Sequence, residues 1–154
     1  MGCMSELCDD LKRLFNEMSP YLKLLGFELE ELDPTYALAR LSYSADLVGD
    51  PRTGVIHGGV VTTLLDTAGG AVVLAASGQL KLVATLDLRV DYLRPARKKR
   101  DIYGRVECYR LAREVAFVRG VAFEQDLEDP IASMAATYMT QNSSVTGTKE
   151  GAHV

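Results

Sequence analysis

The chain has 154 residues, 47% hydrophobic and 25% charged, with a net charge of -4. That length builds a full core in one domain without staples, the composition is that of a soluble globular protein, and the acidic balance argues against general nucleic-acid binding. The three cysteines, Cys3, Cys8 and Cys108, and the two histidines, His57 and His153, show no ligand spacing, so no metal is expected, and an odd cysteine count without a secretory signal fits a reducing cytoplasm.

Leu7, Leu11, Leu14, Phe15 and Met18 recur at helical spacing, predicting an amphipathic helix over Ser5 to Met18 with Ser5 as its cap and Ser19-Pro20 as its end. Gly26 to Glu30 and Tyr36 to Tyr43 alternate as strands and pair as a hairpin over Asp33-Pro34. Leu47 to Ile56 reads as a loop rich in turn residues. From Gly58 the chain becomes almost wholly apolar up to Ser77-Gly78, a helix end by its glycine. Leu82 to Tyr92 then alternates over eleven residues, with Leu82, Ala84, Leu86, Leu88, Val90 and Tyr92 on one face and Thr85, Asp87, Arg89 and Asp91 on the other.

Strands at Ile102 to Tyr109, Val115 to Glu124 and Ile131 to Thr140 form an antiparallel meander. In the second of these, small residues suit close approach of a helix, while Phe117, Val121 and Phe123 call for cover from elsewhere, such as another subunit. The tail from Gln141 to Val154 lacks apolar periodicity and is expected to be disordered. The sum is an α+β fold, a curved antiparallel sheet of about five or six strands around one long central helix. It divides into an N-terminal helix and connector (1–24), a main domain (25–140) and a tail (141–154).

The central helix poses the chemical question. Between Gly58 and Leu80 the only ionisable side chain is Asp66, and a carboxylate in such a setting needs a partner or a purpose. Either it bonds a nearby backbone or hydroxyl group such as Thr62 or Thr63, or it is a catalytic carboxylate facing a dry pocket. Gly58 and Gly59 favour the second reading, because bare N–H groups at a helix start are the parts of an oxyanion hole. One interruption and a richness in Gly and Thr argue against a membrane span.

These residues carry a resemblance. Gly54-Val55-Ile56-His57-Gly58-Gly59, an acid nine residues after the His, and Val90-Asp91-Tyr92-Leu93-Arg94-Pro95 resemble the hotdog-fold acyl-CoA thioesterases of the PaaI-like, 4-hydroxybenzoyl-CoA thioesterase-related group. The resemblance covers roughly Leu25 to Thr140. It implies the hotdog fold, homodimers joined edge to edge and often paired again into tetramers, and hydrolysis of an acyl-CoA thioester without metal or cofactor, CoA entering only as part of the substrate. It implies Asp66 as the catalytic acid, Gly58 as donor to the thioester carbonyl, and Thr85 as a hydroxyl that places the water. Where the family commonly has Asn, six residues before the His, this chain has Pro51; the polar role has either slid to Asp50 or is absent. Strict alternation puts Thr85 on the wrong face, and only a bulge or an interface brings it to the pocket.

Gly58 and Asp66 lie about 12 Å apart on one helix at 1.5 Å per residue, too far to serve one carbonyl. A two-fold dimer with antiparallel central helices would pair Gly58 of one chain with Asp66 of the other. His57 reads as a loop-orienting residue rather than a base, and Val60, Val61, Thr63 and Leu64 as pocket lining. Arg94, Arg97, Lys98, Lys99 and Arg100 place five cations in seven residues, either a solvated turn or a cradle for the phosphates of CoA, with Arg113 a further candidate. Asp66 works as a base or as a nucleophile. The rivals are a hotdog dehydratase and a non-catalytic acyl-CoA sensor.

Overall fold

The computed structural model describes residues 2–17 and 19–141. Met18, expected on the first apolar stripe, and the expected tail from 142 onward with His153 lie outside the described residues.

The first amphipathic stripe forms α1 (Gly2–Glu17), which starts ahead of Ser5, so Ser5 lies inside the helix and is not its cap. Cys8 and Leu11 are buried against Ala75 of the central helix. Ser19-Pro20, expected only as a terminator, opens a second helix, α2 (Pro20–Leu25). Ser19 Oγ accepts the Leu22 N–H at 3.3 Å, Pro20 stands where a helix needs no N–H, and Gly26 closes it in the left-handed region at φ 68.

Two strands, β1 (Phe27–Leu32) and β2 (Tyr36–Leu41), make the expected hairpin. The expected loop carries a 3-10 turn at Ala45–Leu47 and a small hairpin of β3 (Val48–Asp50) and β4 (Val55–Ile56). The central helix, α3 (Gly58–Ser77), is followed by β5 (Leu82–Tyr92), β6 (Ile102–Leu111), β7 (Val115–Phe123) and β8 (Ala132–Gln141). Gln141 is therefore strand, paired with Leu82, and not tail. The main sheet has six antiparallel strands in the order β1-β2-β6-β7-β8-β5, with β6, β7 and β8 as the meander.

The helix α3 lies across one face of this sheet. Leu64, Leu65, Ala68, Val72 and Val73 are fully buried against Ala39, Val106, Ala116 and Val118. Removing such side chains from water is worth about 1.5–3 kcal/mol each as an upper bound. Gly104 lets helix and sheet close up, since a Cβ there would stand 3.1 Å from Leu64 Cγ. By length and composition α3 would also pass as a membrane span, but half of that window is buried in this fold. It is not covered all round: Gly59, Thr63, Asp66, Thr67, Gly70 and Leu74 form a stripe of exposed or half-buried positions.

The two edges of the sheet differ. On β1, Leu29 turns its N–H and C=O outward, and the Asn16 side chain of α1 takes both, accepting at 2.7 Å and donating at 3.2 Å. On β5 no described element covers the edge. The pairing of β5 with β8 slips between Thr85↔Tyr138 and Asp87↔Thr137, a bulge at Leu86. The bulge corrects the expected faces. Val83 and Thr85 join Leu88, Val90 and Tyr92 on the helix side, while Leu82 and Leu86, each 57% exposed, point away. On the outer face of β7, Phe123 stacks on Tyr103 at 5.7 Å and Phe117 meets Tyr109 at 6.3 Å, ring contacts with the neighbouring strand β6 that leave Phe117, Val121 and Phe123 half-buried.

Candidate active site

At the start of α3, His57 is the N-cap, and its Nδ1 accepts the Gly59 N–H at 3.0 Å. Of the two amides expected to be bare, Gly59 is thus engaged, and only the Gly58 N–H meets no acceptor among the described residues. The Gly58 carbonyl accepts the Tyr92 hydroxyl at 2.6 Å and Thr62 Oγ1 at 3.3 Å, which ties the helix start to the end of β5. Gly58 lines a cavity of about 360 Å³ together with Val61, Tyr92, Leu93 and Arg94.

Two turns along, Asp66 is half-buried on the uncovered stripe. Thr62 and Thr63, expected as its possible partners, instead bond back to the Gly58 and Gly59 carbonyls at 3.3 and 3.0 Å. The donors to Asp66 come from the sheet. Thr85 Oγ1 donates to Oδ1 at 2.8 Å, and the Tyr138 hydroxyl reaches Oδ1 at 3.1 Å and the Asp66 carbonyl at 3.0 Å. Oδ2 has no partner among the described residues. Burial, then the neighbouring Asp66, pushes the Tyr138 phenol far above its ordinary range, so it serves only as a donor.

The bulge at Leu86 is what delivers Thr85, since an unbroken strand would turn it outward. Around Asp66 lies a second cavity of about 360 Å³, walled by Phe15, Thr67, Gly70, Leu74 and Val83, with Lys81 at its side. Gly70 leaves it open, because a Cβ there would meet nothing within 4 Å. Gly58 and Asp66 therefore serve different cavities of one protomer.

Other expected site residues fall elsewhere. Val60 and His57 line a third cavity with Leu24, Leu25 and Leu47. Thr63 lies 3.3 Å from the Tyr21 hydroxyl. Asp50 is held by Arg52, whose guanidinium reaches it at 2.9 and 3.1 Å and keeps its carboxyl below the usual range; it lines neither the Gly58 nor the Asp66 cavity.

The basic run divides. Arg94 clasps Asp129 at 3.0 and 2.9 Å and reaches Glu124, only 2% exposed, at 3.1 Å. The Arg97 N–H also bonds Glu124, and its guanidinium stands 3.6 Å from Asp129. These two arginines neutralise a buried acid, while the Arg97 side chain stays 60% exposed and Arg94 still lines the Gly58 cavity. Lys98, Lys99 and Arg100 are exposed and make no ion pair among the described residues, as does Arg113 at the β6–β7 turn. No group of three or more potential metal-ligating side chains occurs among the described residues.

Tyr138, Tyr92 and Glu124 escape a reading by local pattern. The signal for Tyr138 is a glycine: Gly69, one turn after Asp66, where a Cβ would lie 2.2 Å from the phenol oxygen.

A long helix laid on a six-stranded antiparallel sheet, with a carboxylate in mid-helix and a free amide at its start, is the architecture of a hotdog enzyme. The chain belongs to the Thioesterase superfamily, whose profile matches residues 53–131. It is 32% identical over 133 residues to the medium/long-chain acyl-CoA thioesterase YigI of Escherichia coli K12, covering 78% of this chain and 84% of that one. A crystal structure of a Pseudomonas aeruginosa protein is similar at 36% identity and a TM-score of 0.78, covering 88% of this chain and 99% of that one. The phenylacetic acid degradation protein PaaI of Thermus thermophilus, in an N33D mutant structure, shares the fold at 24% identity and a TM-score of 0.70, over 80% of this chain and 100% of that one.

Proposed function

We propose that the protein is an acyl-CoA thioesterase in which Asp66 attacks, or activates water to attack, the thioester carbonyl. One observation carries this reading: Asp66 lines a cavity with Phe15, Leu74 and Val83, its Oδ1 held by two hydroxyls and its Oδ2 without a partner among the described residues. As a base, Oδ2 takes a proton from water, the hydroxide adds to the carbonyl carbon, and the oxyanion rests on the Gly58 N–H. The C–S bond then breaks, leaving a carboxylic acid and CoA thiolate, which takes up the proton. As a nucleophile, Oδ2 adds to the carbonyl carbon and the C–S bond breaks, giving a mixed anhydride and CoA thiolate; water then opens the anhydride to the free acid and the regenerated Asp66 carboxylate, and the thiolate takes up the proton released. No metal or further cofactor takes part.

The separation of the Gly58 and Asp66 cavities supports a two-fold dimer with shared sites, each built from Gly58 of one chain and Asp66 of the other. The open β5 edge and the uncovered stripe of α3 are the surfaces it would join. Pairing of two dimers into a tetramer would use the outer sheet face. Lys98, flanked by Lys99 and Arg100, has charge to spare for CoA phosphates, with Arg113 a second candidate. The apolar walls at Phe15, Gly70 and Leu74 suit an alkyl chain, as does the name of the E. coli relative. The unpaired thiols of Cys8 and Cys108 fit a cytoplasmic setting.

Release of free thiol from acyl-CoAs of graded length tests the proposal. We expect turnover highest on medium or long chains and reduced about 10²–10⁴-fold in Asp66→Asn. Binding without turnover across the whole panel would make the protein a sensor.

A further inference from the structure

Tyr138 contributes more than packing. We propose that it is the positioning residue of the site, clamping Asp66 by main chain and side chain together so that Oδ2 is the oxygen presented to the substrate. The inference rests on the reading of Asp66 as the reacting acid and adds to it a second residue and the identity of the reacting oxygen.

Three features support the clamp. First, a single phenolic proton is shared between the Asp66 carbonyl at 3.0 Å and Oδ1 at 3.1 Å, fixing the carboxylate relative to its own backbone. A contact to the side chain alone would leave it free to rotate. Second, the space is made on purpose. Tyr138 is 1% exposed, and its hydroxyl lies where a Cβ at residue 69 would be 2.2 Å away, so the helix carries glycine there despite the conformational cost of glycine in a helix interior. Third, the two donors to Oδ1 are unequal. Thr85 is exposed on the open edge strand, whereas Tyr138 comes from the neighbouring strand inside the sheet. The rigid donor is the buried one.

Both donors bond the same oxygen, Oδ1. The elements around the cavity face Asp66 with Phe15 from α1, Val83 and Thr85 from β5, Tyr138 from β8, and Lys81 from the turn before β5. Lys81 is thus the one other titratable side chain beside Tyr138 among its described lining residues.

The test is Tyr138→Phe in the full chain, which keeps the ring and removes the hydroxyl, with Asp66→Asn as the reference. Loss of a hydrogen bond to a charged group predicts a fall in kcat of about ten- to a hundredfold with KM for a fixed acyl-CoA changed less than about twofold. Fluorotyrosines of graded acidity placed at 138 keep the ring and the hydroxyl while making the phenol a progressively stronger donor, and kcat should change steadily along the series at unchanged KM. Parental kcat in Tyr138→Phe, beside an inactive Asp66→Asn, would overturn the clamp and leave the thioesterase reading standing. Full activity in Asp66→Asn would overturn both. If Tyr138→Phe does not fold, the fluorotyrosine series decides alone: a kcat that does not change with the acidity of the phenol overturns the clamp.

Discussion

The two edges of the main sheet are treated in opposite ways. Strand β1 has six residues, is bulged between Leu29 and Glu31, and has its outward groups at Leu29 taken by Asn16. Its outer-facing acids are also occupied, Glu28 and Glu30 both lying on Arg40. Strand β5 has eleven residues, no covering element among the described residues, and apolar side chains at Leu82 and Leu86 turned to solvent. Exposed backbone on a long apolar edge invites pairing, and proteins that must stay apart suppress it. This chain suppresses one edge and keeps the other, and the kept edge borders both Asp66, through Thr85, and Gly58, through Tyr92. The difference between the edges therefore belongs to the active site as much as to the fold.

The largest effect should come from breaking the open edge. In Leu82→Lys/Leu86→Lys, like charges would face each other across a two-fold axis while each protomer keeps its core, because both side chains already point outward. Light scattering should report monomers, and thiol release should fall about 10²–10³-fold, the loss expected when an oxyanion donor leaves. A fully active monomer would refute shared sites. The comparison sharpens further with mixed dimers. Gly58→Pro deletes the N–H at the first helical position, where the φ of proline fits, although its Cβ would need the Tyr92 ring, 3.2 Å away, to give by a few tenths of an ångström. Verified heterodimers of that chain with Asp66→Ala should regain about half the parental activity, one intact site of two.

The same edge marks where the sequence is legible and where it is not. The apolar run with its single acid announces α3, and the ends of β5 are readable from its alternation. The faces of β5 are not. Apolar residues at 82, 84, 86, 88, 90 and 92 look like one core face, yet a bulge divides them. An open apolar edge is written in the same residues as a core, so periodicity cannot separate the two. The ion pair of Arg94 is hidden for a related reason: its partner Glu124 is thirty residues away, on no element that local pattern connects to it. Ser19-Pro20 is different, because cap and first-turn proline are both local signals of a helix start, and α2 follows from them.

Opening the closed edge should cost stability and not activity. Asn16→Ala removes two hydrogen bonds and leaves the Leu29 backbone groups unpaired, a loss of about 1–3 kcal/mol. Denaturant unfolding should show a lower midpoint with an unchanged slope. Specific activity and oligomeric state should stay parental, since Asn16 contacts β1 and not the Asp66 cavity. A matching loss of activity would mean the two edges are coupled through α1.

The smallest expected effect lies in the turn that joins β1 to β2. Burial works against the Asp33 carboxylate most, but hydrogen bonds from the Thr35 hydroxyl, the Thr35 N–H at 2.6 Å and the Tyr36 N–H at 3.1 Å, helped by Arg105, outweigh it and hold the group below its usual range. A depressed folded value means the ionised form stabilises the hairpin. That contribution is complete above the unfolded value of about 3.9 and is lost as pH falls through the folded one. Asp33→Asn keeps the acceptor oxygen and removes the charge, so parent and variant should differ in Tm at pH 6 by on the order of 1 °C, the group being largely solvent-screened. The two curves should converge as the pH is lowered past the folded value. Parallel curves across that window would mean that the turn is held by its shape alone, and the closed edge would then owe nothing to charge at its hairpin end.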